Sequence, residues 1–172
     1  ASIYEDGKLW EGAPPLANEL LAMKIDIAGG PKTTRTADEE ELVKGDAGIE
    51  ARYIRVALPG KTSLKLGEVQ VKKDNYNFAI EGTASMSDEK ALSPAKLAID
   101  DKRDDFGFAG TKDDSENPWW ELDLGEVKEI QEVVIWARNE GSAIDKRRAK
   151  ELENYEVILY DGQRNEVFKA IE

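Results

Sequence analysis

The sequence contains neither cysteine nor histidine. It therefore has no disulfide, no zinc site built on Cys or His ligands, no Ser-His or Cys-His catalytic pair and no haem ligation of the usual kinds. Absence of cysteine fits either redox compartment. Positive charge is also scarce: 24 Lys and Arg stand against 36 Asp and Glu, a formal net charge of −12. Such a balance argues against nucleic acid and anionic membrane surfaces as partners and makes a hard cation the more natural counterion. No apolar run approaches the roughly 20 residues of a membrane-spanning helix, so no membrane insertion is expected. No signal-like apolar segment follows Ala1, which predicts a mature protein or an excised domain. The 172 residues suffice for one domain with a real core, or for one domain with a smaller appendage.

Of four tryptophans, two are adjacent, in Asn117-Pro-Trp-Trp-Glu-Leu-Asp123. Asn-Pro stops what precedes it and imposes an extended start. Trp120, Leu122 and Leu124 then fall on one face and Trp119, Glu121 and Asp123 on the other, as in a half-buried antiparallel strand. Trp120 reads as core. Trp119 lies on the more polar face, where an indole either packs at the rim or lies against a ligand ring.

Residues 1–50 differ in texture from the rest. Pro14-Pro15 followed by Leu16, Leu20, Leu21 and Met23 matches a short helix with proline in its first turn, and residues 38–44 match another turn or two of helix capped by Thr36 or Asp38. This predicts a partly helical N-terminal appendage or linker. From residue 51 onward the pattern is β. Residues 52–58 alternate around Ile54, Val56 and Leu58, Pro59-Gly60 turns the chain, and residues 64–71 read as the returning strand. Residues 75–83 read as a third strand, 85–95 as a small-residue loop, and 94–99 as a short helical turn. Residues 130–137 are apolar on both faces, as in a central sandwich strand, and 154–160 with 166–171 read as a hairpin turned at Asp161-Gly162. About seven short strands with turn signals between them predict an all-β fold, a jelly-roll β-sandwich over residues 51–172.

Two loops carry concentrated charge. Asp100, Asp101, Asp104 and Asp105 repel one another unless compensated, either by Lys102 and Arg103 in a solvated turn or by a bound Ca²⁺, which takes six to eight oxygen ligands. The basic run Lys146, Arg147, Arg148 and Lys150 is either a solvated loop or a rim of donors at one end of the sandwich.

Several of these segments resemble a known family. The stretches Ala51-Arg-Tyr-Ile-Arg-Val-Ala-Leu-Pro-Gly60 and Leu64-Lys-Leu-Gly-Glu-Val-Gln-Val71 are similar to the closing strands of discoidin-type (coagulation factor C-type) domains. Asn77-Phe-Ala-Ile-Glu-Gly-Thr-Ala-Ser85 resembles the opening strand of the fucolectin branch of that superfamily. Leu97-Ala-Ile-Asp100, Asn117-Pro-Trp-Trp-Glu-Leu-Asp-Leu-Gly125 and residues 130–138 resemble its body. About 120 residues are covered, but the closing pair precedes the opening strand. With one copy of each strand and no duplicate, the order implies a single circularly permuted, galactose-binding-domain-like sandwich, whose neighbouring chain ends make permutation inexpensive. Permuted relatives occur in large bacterial exported proteins, which implies an exported location and other domains of a larger polypeptide as possible neighbours.

The resemblance also implies sites. Ca²⁺ would be held by Leu97, Asp100 and Lys102, with Gly67 and Glu68 from the permuted strand and Gly110 or Thr111 completing the set. The fucolectin sugar contacts are a His ahead of the Trp pair, an Arg-x-Asp and a second Arg. Here the His position falls at Lys112, Arg138 is kept, the Asp becomes Glu140, and the second Arg falls at Glu151 with Arg148 and Lys150 close by. Fucose itself is therefore not implied; a pocket of charged donors with Trp119 or Phe106 as an apolar wall still suits a polar glycan. The expectation is a non-enzymatic, Ca²⁺-stabilised lectin-like module that binds a glycan or polysaccharide and attaches or positions a larger exported protein. The alternative is a structural or protein-interaction module with a decayed pocket. Paired carboxylates of the glycosidase kind have no motif behind them.

Overall fold

Residues 119–124 do form a strand, and the strand runs on to residue 130. The computed structural model describes residues 4–5, 8–9, 22–27, 48–102, 107–136, 138 and 154–171. The first strands are β1 (Tyr4–Glu5), β2 (Lys8–Leu9), β3 (Ala22–Asp26) and β4 (Ile49–Ala57). They are followed by β5 (Lys61–Thr62), β6 (Lys65–Leu66), β7 (Glu68–Lys73), β8 (Tyr76–Asn77) and β9 (Thr83–Met86). Then come β10 (Ala109–Gly110), β11 (Ser115–Glu116), β12 (Trp119–Ile130), β13 (Glu132–Trp136), β14 (Glu156–Tyr160) and β15 (Glu166–Ile171). One five-stranded sheet has the order β15-β14-β4-β12-β9 and one four-stranded sheet the order β3-β13-β7-β8, all neighbours antiparallel.

Period-two side chains explain why the sheets close on one another. Trp120 lies opposite Val56 and Leu122 opposite Ile54, while Val157 and Leu159 continue the same rows on β14. All six are fully buried in one cluster with Val69, Val71, Val133 and Ile135 from the other sheet. Each such side chain stabilises the fold by about 1.5–3 kcal/mol relative to exposure. Trp120 also donates its indole N–H to the carbonyl of Ala95, 3.0 Å away, so its one polar atom is satisfied inside the core. The expected central strand, β13, is buried on both faces at Val133, Val134 and Ile135. The expected hairpin is β14–β15, and its turn is held by the Asp161 carboxylate, which accepts from the backbone of Gln163 and Asn165.

Four expectations change. The partly helical appendage is not supported: the described residues of that region are strands, and Ala22–Asp26, which includes Met23 of the expected helix, pairs along β13 as an edge strand. Hydrogen bonding to a sheet edge overrides a weak local helix pattern. Leu16, Leu20 and Leu21 and residues 38–44 lie outside the described residues, and β4 begins at Ile49, so the compositional break at 50/51 falls within a strand. Second, residues 64–71 do not return beside β4; they split at Gly67, and β7 joins the opposite sheet. Leu64 and Leu66 are fully buried at this crossing, held by the exchange of backbone and hydroxyl bonds between Leu64 and Thr111. Third, the single strand expected over 75–83 is broken by a 3-10 turn, Phe78–Glu81, because the Asn77 side chain accepts from Ala79 N and Val71 N and bends the chain. Fourth, the described residues form nine strands across the two main sheets rather than about seven, since β3 is added and the expected 75–83 strand divides into β8 and β9.

Candidate functional site

Pairing shows where the connections go. The end of β4 at Ala57, the start of β12 at Trp119, the end of β9 at Met86 and the start of β14 at Glu156 lie side by side in one sheet. In the other, the end of β13 at Trp136 meets the start of β7 at Glu68. Because Gln131 alone joins β12 to β13 at the far end, these two groups of termini share the near end. Connections 58–67, 87–118 and 137–155 therefore start and finish at that end, whereas the far end has the turns at 131, 74–75 and 161–165, the 3-10 connection 78–82 and one long connection, 27–48, most of it outside the described residues. Loops gathered at one end of a rigid sandwich are where such folds place ligands.

Several expected site residues lie there. Arg138 follows β13 and sets its guanidinium 5.4 Å from the ring centre of Phe108. Phe108 packs tightly against Gly110, where an added Cβ would stand 2.9 Å from the ring and 3.4 Å from Ser93 Cβ. Phe108, which the sequence pattern did not single out, is thus an aromatic neighbour of Arg138 among the described residues. Phe106, Glu140, Arg148 and Lys150 fall outside the described residues. Lys112 is exposed and engaged: its ammonium lies 2.8 Å from Asp88, whose other oxygen accepts from Ser115 Oγ. Trp119 sits on the outer face of the five-stranded sheet, its ring covered by the Arg55 guanidinium at 4.5 Å.

The expected metal ligands also converge in part. Glu68 is fully buried, and its Oε1 accepts from the amide of Asp101 at 3.2 Å. Asp101 has a positive φ of 58°, and the neighbouring Asp100 accepts from Lys102 N at 3.1 Å. Leu97 lies in the 3-10 turn Ala95–Ile99 that leads into this loop. Gly67 donates its backbone N–H to Trp136, and Thr111 is buried against Leu64. Among the described residues no group of three or more acidic side chains is placed to hold a metal. A site here would thus pair the Glu68 and Asp100 carboxylates with carbonyl oxygens, a donor set that fits a hard cation.

A charged stack on the outer sheet face was not anticipated. Glu121 is nearly buried between two arginines, with Arg55 Nε 2.9 Å from Oε2 and Arg164 Nη1 3.0 Å from Oε1. Arg164 in turn lies 3.9 Å over the Tyr53 ring. Arg164 comes from the β14–β15 turn, 43 residues beyond Glu121, so no local signal announces the pair.

Charge pairing holds several carboxylates below the usual range. The Lys112 ammonium, then Ser115, lowers Asp88; the Arg52 guanidinium lowers Asp123; Lys73, then the Gly48 amide, lowers Glu129. A depressed folded pKa contributes stability that is complete above the unfolded value, about 4 for these groups, and is lost as pH falls through the folded values. The urea midpoint is therefore expected to be flat from pH 7 to about 5 and to fall below about 4. An unchanged midpoint at pH 3 would remove these pairs from the account.

Sandwich and loop end together define a galactose-binding-like β-sandwich. Residues 97–171 match the family model described as NedA-like, galactose-binding domain, of the discoidin (coagulation factor C-type) group. No curated protein and no solved structure matches the chain significantly. No helix among the described residues is long and apolar enough to cross a membrane.

Proposed function

We propose that the chain is a non-catalytic carbohydrate-binding module whose sugar site lies at the loop-rich end, around Arg138 and Phe108. The observation that carries this is the Arg138 guanidinium over the Phe108 ring at the end where three long connections meet. A guanidinium supplies several donors to ring hydroxyls, and the half-buried Phe108 beneath it adds an apolar wall beside them. The match to a galactose-binding domain makes galactosides the first ligands to try. Strands β4 and β7, upstream of the matched region, complete the same sandwich, which we read as the family's order circularly permuted. We further propose that Ca²⁺ rests on Glu68 and Asp100 with backbone oxygens of Gly67, Leu97, Lys102 and Thr111, and that the module positions a larger exported polypeptide. The contact between buried Glu68 and the Asp101 amide supports the first of these; Ca²⁺ would supply charge compensation and stiffen the loop.

One observation favours the rival, a protein-interaction module with a decayed pocket: Lys112 and Trp119, both expected sugar contacts, are engaged by Asp88 and Arg55. Calorimetry with methyl galactoside separates the readings. Binding that weakens at least tenfold in Arg138→Ala supports the sugar site; no binding to any of a panel of neutral and acidic sugars supports the rival. Calcium is tested separately by thermal unfolding after chelation. A hundredfold excess over Kd stabilises by about 2.7 kcal/mol, a rise of about 5–10 °C, expected to vanish in both Glu68→Gln and Asp100→Asn. No rise in the wild-type chain would leave the Glu68–Asp101 contact as a plain structural bond.

A further inference from the structure

Leu92 is 90% exposed, the most exposed large apolar side chain among the described residues. It does not sit on a loose loop. Ser93 N donates to Lys90 O at 2.9 Å, closing a tight turn, and Lys90 N and Ser93 O are both bonded to Gly110 of β10. Ala95 N, just beyond, donates to Glu89 Oε2 at 2.9 Å. Ser93, at the base of the turn, and Phe108 both crowd Gly110, so the turn and the Arg138–Phe108 pair meet at that glycine. A turn whose backbone is already hydrogen-bonded presents a leucine to solvent with little backbone ordering cost still to be met on contact.

Building on the carbohydrate-binding reading, we propose that Leu92 forms the apolar contact of a second subsite, adjoining the sugar held at Arg138 and Phe108, which takes the hydrophobic face of the next sugar residue or of an aglycone. Lone monosaccharides then bind through Arg138 and Phe108 only, and extended ligands gain from Leu92. Partial burial of one leucine is worth about five- to tenfold in affinity.

The test is calorimetry on the whole chain with methyl β-galactoside, lactose and p-nitrophenyl β-galactoside, on wild type and Leu92→Ser. Because Leu92 supports no core contact, Leu92→Ser is expected to keep the wild-type melting temperature. Wild type should bind lactose, p-nitrophenyl galactoside or both about fivefold or more tighter than methyl galactoside, and Leu92→Ser should abolish that preference while leaving methyl galactoside binding unchanged. A preference for lactose alone assigns the subsite to a second sugar, and one for the aryl glycoside alone to an aglycone. Equal wild-type affinity for all three ligands, or a preference that survives Leu92→Ser, overturns the subsite while the sugar site stands. Failure of wild type to bind any of the three overturns both.

Discussion

Trp120→Ala is expected to destabilise the protein by about 3–5 kcal/mol, a fall in melting temperature of about 10 °C or more. Trp120 is fully buried and lies in register with Val56 on β4 and Met86 on β9. Its removal therefore opens a cavity in the core at the loop end of the five-stranded sheet. Its indole N–H also holds the Ala95 carbonyl at 3.0 Å, at the head of the 3-10 turn Ala95–Ile99 that leads to Asp100. Trp120→Phe keeps most of the volume but leaves that buried carbonyl without its donor, at about 1–3 kcal/mol. If the 3-10 turn positions the Asp100 loop, Trp120→Phe should also weaken any Ca²⁺-dependent stabilisation, while a substitution elsewhere in the core should not. Urea unfolding of the three proteins decides it; a midpoint for Trp120→Ala close to wild type would show that the core tolerates the cavity.

Glu121→Ala is expected to cost about 2 kcal/mol, below the 3–5 of a deeply buried pair because the arginines are partly solvated. Side-chain exposure is 7% for Glu121 against 28% for Arg55 and 53% for Arg164. Loss of the carboxylate leaves Arg55 stacked on Trp119 and Arg164 on Tyr53 with no anion between them. Glu121→Gln, which keeps one acceptor and the shape, should cost less. In a double-mutant cycle Glu121→Ala and Arg164→Ala are expected to couple by about 1 kcal/mol, since contacting residues are not additive. Additive effects would mean that Arg164 merely lies on Tyr53 and that Glu121 is held by Arg55 alone.

The pairing of Arg164 with Glu121 marks the boundary of what local pattern reveals. Alternation along 119–124 identified β12 and put Trp120, Leu122 and Leu124 inward, because period two is imposed by the strand backbone itself. The continuous apolar run of β13 and the Asp161-Gly162 turn were legible for the same reason: each signal lies within a few residues. The motif resemblance around the Trp pair reached further, to the family and to the closeness of Glu68 and the Asp100 loop, which sit in different sheets and loops. Arg138 was singled out by the same resemblance, whereas its neighbour Phe108 was not: the closeness of the two comes from packing between segments 30 residues apart.

By itself, then, the sequence determined the β class, most strand positions, the inward Trp120 and the absence of His- or Cys-based chemistry, all properties carried by residue type and short-range periodicity. The tertiary structure alone decided that Ala22–Asp26 is an edge strand, that β4 and β7 part into opposite sheets, that Lys112 and Trp119 are engaged by Asp88 and Arg55, and that Leu92 stands exposed on a turn bonded to Gly110. Each of these depends on contacts between segments distant in the chain, whose free energy comes from burial and pairing that exist only once both sheets have closed.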